Sequence, residues 1–272
     1  DLTWKESKNF QEGEYIASAR IIPEVKNNHE QGIIELITAN PTVYGVKKNV
    51  REIVRILLEK HKTKRNIAKM LGVNENQLYH HWINEDARGN INLQTLKRLM
   101  KEVNYPLEKI DNVEVSLYKG HRIKLPKRIN RELLYFAGLI AGDGDLSKGS
   151  GSISIRFSNS NEELIKKFEQ LSEKLFGVKT NISSEASEKR PKSVRFSSKI
   201  VAEILTALGI PHSPKSHLIN PTSIIMQMPN VDVSYFLRGL FDCDGSVSER
   251  KKKGSSDVDF TTTSKALAAK MQ

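Results

Sequence analysis

Two nine-residue stretches carry residue types and spacings that suggest chemistry: "FAGLIAGDG" at 136–144 and "LRGLFDCDG" at 237–245. Each reads as a helical run of small and apolar residues that ends on an aspartate, Asp143 in the first and Asp244 in the second. A helix C-terminus carries partial negative charge, so a carboxylate there is disfavoured by a few tenths to ~1 kcal/mol. A single Asp-Gly reads as a plain helix-ending turn with a left-handed glycine. Two in register, 101 residues apart, ask for a further reason. The copies also share small positions four residues apart: Gly138 matches Gly239, and Gly142 matches Cys243. That spacing makes a small stripe on one helix face. An interior glycine costs ~1 kcal/mol relative to alanine, and tight backbone packing across Gly138, Gly142, Gly239 and Cys243 offers the compensation. The two helices are expected to pack on each other and to bring Asp143 and Asp244 side by side.

Two carboxylates at adjoining helix C-termini repel each other and the helix dipoles. A divalent cation resolves that, and Mg²⁺ (or Mn²⁺) suits the donors: it takes octahedral oxygen ligands, commonly one or two carboxylates with phosphate and water. Such an ion polarises a phosphate, activates a water and stabilises a leaving oxygen. The expected chemistry is metal-dependent phosphodiester hydrolysis.

The whole chain agrees with a polyanionic partner. Its 272 residues carry a formal net charge of +11 and a pI near 9.5, which favours nucleic acid ahead of an acidic membrane surface. One cysteine, Cys243, excludes an intrachain disulfide framework and a Cys-based zinc site. There is no signal peptide and no apolar run long enough to span a membrane, so a cytoplasmic, cell-interior protein is the expectation.

The elements that must position the acids follow from pattern. Residues 1–23 alternate and turn like two short strands, and 24–46 read as a linker with a β-like piece, "IIELIT". Residues 47–108 read as four helices forming a helix-turn-helix module, with Gly72 in the turn and Asn74 capping the second helix. Val50, Ile53, Val54, Ile56, Leu57, Leu58, Ile67, Ala68, Leu71, Leu78, Trp82, Leu93, Leu96 and Leu99 are its apolar positions at helical spacing. Residues 109–130 read as a basic linker. Residues 131–230 then run helix, strand "SISIRFSNS", helix, strands "VKTNISS" and "KSVRFSS", and helix; 231–272 begin the second copy.

"LLYFAGLIAGDGDLS" and "SYFLRGLFDCDGSVS" resemble the paired motifs of the LAGLIDADG homing endonucleases, of the single-chain, two-motif type. The resemblance covers residues 113–272 and implies an α+β fold. It comprises two pseudo-symmetric αββαββα half-domains, the second truncated here, that form a saddle on DNA. It implies Asp143 and Asp244 as metal-binding acids, assisted by the carbonyls of Gly142 and Cys243. It also implies a catalytic lysine, and Lys215 in "GIPHSPKSHLINP" matches that family position. Ala141 in the first motif stands where the second has Asp242, a departure away from the acids. "DLTWKESKNFQEGEYIASARIIP" is similar to the end of the N-terminal splicing block of inteins. The splicing nucleophile and the terminal His-Asn are not in this sequence, so the chain is not expected to splice.

For DNA contact, Arg156, Lys179, Lys192 and Arg195 lie in or beside first-half strands, and Arg250 and Lys251 follow the second motif. Arginine suits guanine edges, and lysine in loops suits phosphate. On a saddle, alternation means that Arg156, Lys192 and Arg195 need not share a face. In the helical module, Asn76 and Gln77 are the expected contacts. The expected function is a site-specific endonuclease on double-stranded DNA, embedded in an intein host protein and monomeric when complete. The alternative is a non-catalytic DNA-binding transcription regulator on the same scaffold; an intron-type RNA maturase fits the splicing-block resemblance less well. The second half is expected to lack its last elements, leaving this chain weakly stable and inactive alone.

Overall fold

The computed structural model describes residues 32–61, 63–84, 90–110, 113–117, 121–149, 152–184, 187, 190–250 and 255–271; for 249–250 and 255–257 only the backbone is described. The expected splicing block at 1–23 lies outside these residues.

The first module begins with a 3-10 turn, Ile33–Leu36, where the sequence suggested a β-like piece. Strand β1 (Thr42–Tyr44) follows, then α1 (Lys47–His61) and α2 (Lys64–Leu71), which is N-capped by the Thr63 hydroxyl. Gly72 ends α2 in the left-handed region, φ 69°, where glycine carries no Cβ penalty. The Asn74 side chain accepts from the Gln77 N–H at 2.6 Å and so caps α3 (Glu75–Leu78), which runs on as a π-helical turn over Tyr79–Ile83. Strand β2 (Ile91–Asn92), α4 (Leu93–Glu102), β3 (Glu114–Ser116) and β4 (Ile123–Lys124) complete the module. The apolar positions read from the sequence are buried, except Ile56 and Leu58 of α1, which are partly buried against the core.

The two segments read as linkers are built into this module. Strand β1 from one pairs antiparallel with β2 and with β3 from the other, giving a sheet of order β2-β1-β3-β4. Ile33, Ile37 and Val43 are fully buried, as is Val115. These strands have two or three residues each, too few to display alternation in the sequence.

The second region opens with α5 (Arg131–Gly142), capped by Asn130 and buried along Leu133–Ala141. A helix apolar on every side belongs in a core. Next come β5 (Gly144–Lys148), β6 (Ile153–Asn159), α6 (Glu162–Phe176), β7 (Asn181–Ser184), β8 (Lys192–Ser197) and α7 (Lys199–Ala207). The strands form one antiparallel sheet of order β5-β6-β8-β7. Its inner face carries Leu146, Ile155, Phe157, Val194 and Phe196, all buried. Phe168 of α6 stacks on Phe136 and on Phe157, each at 5.0 Å between ring centres. The chain continues through α8 (Ser223–Met226), α9 (Asn230–Asp244), β9 (Gly245–Arg250), β10 (Ser255–Phe260) and α10 (Lys265–Met271). The order helix, strand, strand, helix of α5–α6 thus recurs in α9–α10. Among the described residues, no helix is long and apolar enough to cross a membrane.

Candidate active site

Helices α5 and α9 pack backbone to backbone. A Cβ on Gly138 would lie 2.2 Å from the Phe236 carbonyl oxygen, and one on Gly239 would lie 2.3 Å from that of Tyr135. The contact is reciprocal: Gly138 meets the Phe236–Leu240 turn, and Gly239 meets the Tyr135–Leu139 turn. One turn further on, a Cβ on Gly142 would sit 2.4 Å from the Cys243 Cβ and 3.4 Å from the Asp244 Oδ2. A hydrogen bond of 2.7 Å from the Tyr135 hydroxyl to Asp242 ties the helices on their flank. The stripe of Gly138, Gly142, Gly239 and Cys243 is therefore a contact surface, and it delivers the two aspartates to one place.

Asp143 caps α5 with φ −96° and ψ 8°, and Asp244 is the last residue of α9. The glycines that follow do not make left-handed caps. Gly245 is extended, φ −85° and ψ 155°, and each glycine starts a strand directly. The plain helix-ending turn is thus not what the structure contains.

Lys215 is buried, and its Nζ donates to the carbonyls of Ala141 and Gly142 at the end of α5. Its loop is anchored to β5 by the Ser213 N–H on the Leu146 carbonyl, 3.0 Å. On the other side, the Ser264 hydroxyl before α10 donates to the Ile219 carbonyl, 2.6 Å. The Asn159 amide at the end of β6 donates to Asp143 Oδ2 at 2.6 Å. Sequence reasoning did not single out Asn159.

Burial holds the Asp143 carboxyl above the usual range, opposed by the Asn159 hydrogen bond and the Lys215 charge. Asp244 is also raised, first by loss of solvent around it and then by the charge of Asp143, with Lys215 opposing. Burial pushes the Lys215 ammonium down, against the pull of Asp244 and Asp143. Burial lifts the Cys243 thiol to about 12. Two carboxylates that disfavour each other's charge, at two helix C-termini, make the donor set that a hard divalent cation accepts. Among the described residues no third His, Cys, Asp or Glu joins them. The Gly142 carbonyl, expected to assist a metal, accepts from Lys215 and keeps its second lone pair.

The other expected contact residues separate. Arg156 and Arg195 stand directly opposite each other, on the sheet face away from Phe157 and Val194. Arg156 is paired with Asp145 at 2.7 Å, and Arg195 has no ion pair among the described residues. Lys192 stands opposite Asn159 and shares the parity of Val194 and Phe196, so it points to the other face. Lys179 lies beside Lys166, Glu169 and Glu173 of α6 rather than on the open sheet face. Asn76 and Gln77 are exposed. Arg250 ends β9, and Lys251 lies outside the described residues.

The family described as "LAGLIDADG-like domain" matches residues 130–212 and 232–272, the two stretches that contain α5 and α9. These stretches, under half of the chain, are similar to that family. Among similar proteins, the replication factor C small subunit of Methanocaldococcus jannaschii is 30% identical over 168 residues, 59% of this chain and 8% of that protein. Elongation factor 2 of Methanopyrus kandleri is 27% identical over 207 residues, 74% of this chain and 15% of that protein. The isomerizing glutamine–fructose-6-phosphate aminotransferase of Methanocaldococcus jannaschii is 23% identical over 238 residues, 84% of this chain and 20% of that protein. The chain thus spans only a small part of the length of each of these relatives.

Proposed function

We propose that this chain belongs to a site-specific homing endonuclease that cleaves double-stranded DNA by metal-dependent phosphodiester hydrolysis. The observation that carries this reading is the delivery of Asp143 and Asp244 to one place by α5 and α9, with Lys215 over the end of α5. Asp143 and Asp244 would hold Mg²⁺ or Mn²⁺; when bound, such an ion neutralises phosphate charge and lowers the pKa of water. Asn159 orients the Asp143 carboxylate. Lys215, its pKa lowered by burial, is suited to hold or pass a proton near a phosphate oxygen. The open sheet face with Arg156 and Arg195 suits base and phosphate contact. The exposed Asn76 and Gln77 of the helix–glycine–helix unit offer a second DNA-contacting surface in the manner of a helix-turn-helix.

The intein setting is part of the same proposal. The relatives are named as a replication factor, an elongation factor and an aminotransferase. Those names share no activity, and the matched part is a small share of each. An inserted element carried by unrelated hosts fits that pattern.

The test uses the complete protein and a duplex carrying its target. Asp143→Asn and Asp244→Asn should each abolish double-strand cleavage while leaving DNA binding largely intact. Undiminished cleavage by either variant would overturn the assignment. A DNA-binding regulator on the same scaffold would bind the target and never cut it, so the same assay separates the two.

A further inference from the structure

The first module is joined to the LAGLIDADG-like region by more than the chain at 126–130. Residues 33–40 run between α4 of the module and α7 of the second region, and backbone groups of Ile37, Thr38 and Ala39 bond to side chains of the two. The N–H groups of Thr38 and Ala39 both donate to one oxygen of Glu203 on α7, at 3.0 and 2.9 Å. The carbonyls of Thr38 and Ala39 accept from the Gln94 amide of α4, at 3.2 and 3.1 Å. The carbonyl of Ile37 accepts from Lys97 of α4 at 2.8 Å. Ile33 and Ile37 are fully buried at the same place. Glu203 and Lys97 grip one peptide segment, the first through its N–H groups and the second through a carbonyl; burial lowers the Lys97 ammonium, while the charges of Glu35 and Glu203 raise it. At Thr38 and Ala39 the donors are thus fixed by one body and the acceptors by the other.

We propose that residues 33–40 are a coupling strap, with Glu203, Gln94 and Lys97 as positioning residues. The strap sets a fixed offset between the helix–glycine–helix surface and the sheet face, and therefore the length of duplex that the protein recognises. The statement about duplex length rests on the DNA-binding reading above; the statement about the offset does not. Two linked binding surfaces gain affinity together only when their geometry lets both engage at once. A rigid strap makes that condition strict, and a loose one relaxes it.

The first measurement needs no DNA. Spin labels on Glu59→Cys in α1 and Lys167→Cys in α6, both exposed, report the distance between the two bodies by double electron–electron resonance. The half-buried Cys243, packed against Gly142 between the two helices, should take no label, which a label count on the unsubstituted protein checks. The otherwise native protein should give one narrow distance distribution. Glu203→Ala with Gln94→Ala should broaden it severalfold while circular dichroism keeps its native helix signal. Glu203→Gln retains an acceptor oxygen and should restore a narrow peak when Gln94 is intact. A distribution equally narrow in the double alanine variant would overturn the strap.

The second measurement inserts five base pairs, about half a helical turn, between the two footprinted segments of the target. The native protein should lose at least about tenfold in affinity, by the strict-geometry argument. The double alanine variant should lose less than about threefold relative to its own uninterrupted site. Equal losses in the two proteins would overturn the link to target length. A narrow native distance distribution with no DNA footprint at all would keep the offset and overturn the functional reading instead.

Discussion

The hairpins that follow the two aspartates pair in the same register and end in different surroundings. In β5–β6, Gly144 stands opposite Phe157 and Leu146 opposite Ile155. In β9–β10, Gly245 stands opposite Phe260 and Val247 opposite Val258. Leu146 and Ile155 are fully buried, whereas Val247 and Val258 are 61% and 68% exposed. The first pair lies under α6 and beside β8; among the described residues the second pair has no such cover. Strand pairing is thus set locally, by the glycine that leaves each helix and the alternation that follows. The stability of the inner face depends on elements further along the chain, so equivalent positions carry unequal energetic weight.

The largest effect should come from removing the cover of the first hairpin. Phe168→Ala takes away the ring stacked between Phe136 and Phe157 and should cost about 3–5 kcal/mol in urea unfolding. Amide exchange at Leu146 and Ile155 should then approach that at Val247 and Val258. Next come the shared positions. Gly138→Ala and Gly239→Ala each push a methyl group into the facing backbone, and overpacking of this kind costs about 1–3 kcal/mol. The two costs should agree, because the contacts are reciprocal; a clear inequality would show that one helix yields. Ile155→Val should cost about 0.5–1.5 kcal/mol. Val258→Ala, at the equivalent site, should stay within about 0.5 kcal/mol. A Val258→Ala cost as large as that of Ile155→Val would remove the contrast. Cys243 gives the smallest signal: with its thiol at about 12, it should stay unreactive to a thiol reagent at pH 8 until the protein unfolds. Prompt native-state labelling would show that the helix pair opens there.

The helix pair was legible in the sequence because it is written twice. Gly138 and Gly239, with Asp143 and Asp244, keep one register, and that register implies packing before any contact is seen. The helices of the first module were legible through their apolar spacing, their caps at Thr63 and Asn74, and the stop at Gly72. Its sheet was not, because β1 to β4 each have two or three residues and their partners lie far apart in sequence; the segments holding β1, β3 and β4 therefore looked like linkers. Asn159 is a plain strand-end residue until β6 returns it to Asp143. Lys192 could have been placed from the sequence: in "KSVRFSS" it shares parity with Val194 and Phe196, against Arg195. Lys215 owes its position to anchors on β5 and before α10, a three-dimensional arrangement that spacing along the chain does not express.

The central claim is that α5 and α9 exist as a pair in order to hold two carboxylates on one divalent cation. Counting Mn²⁺ bound by the folded protein, by paramagnetic resonance at near-neutral pH, tests it most directly. Asn159→Ala should weaken binding about 10–100-fold, as loss of a partner that orients a metal ligand does. Asp143→Asn or Asp244→Asn should weaken it at least as much, and the two together should abolish it. Mn²⁺ bound with undiminished affinity and number by the double variant would contradict the account, and the aspartates would need another purpose.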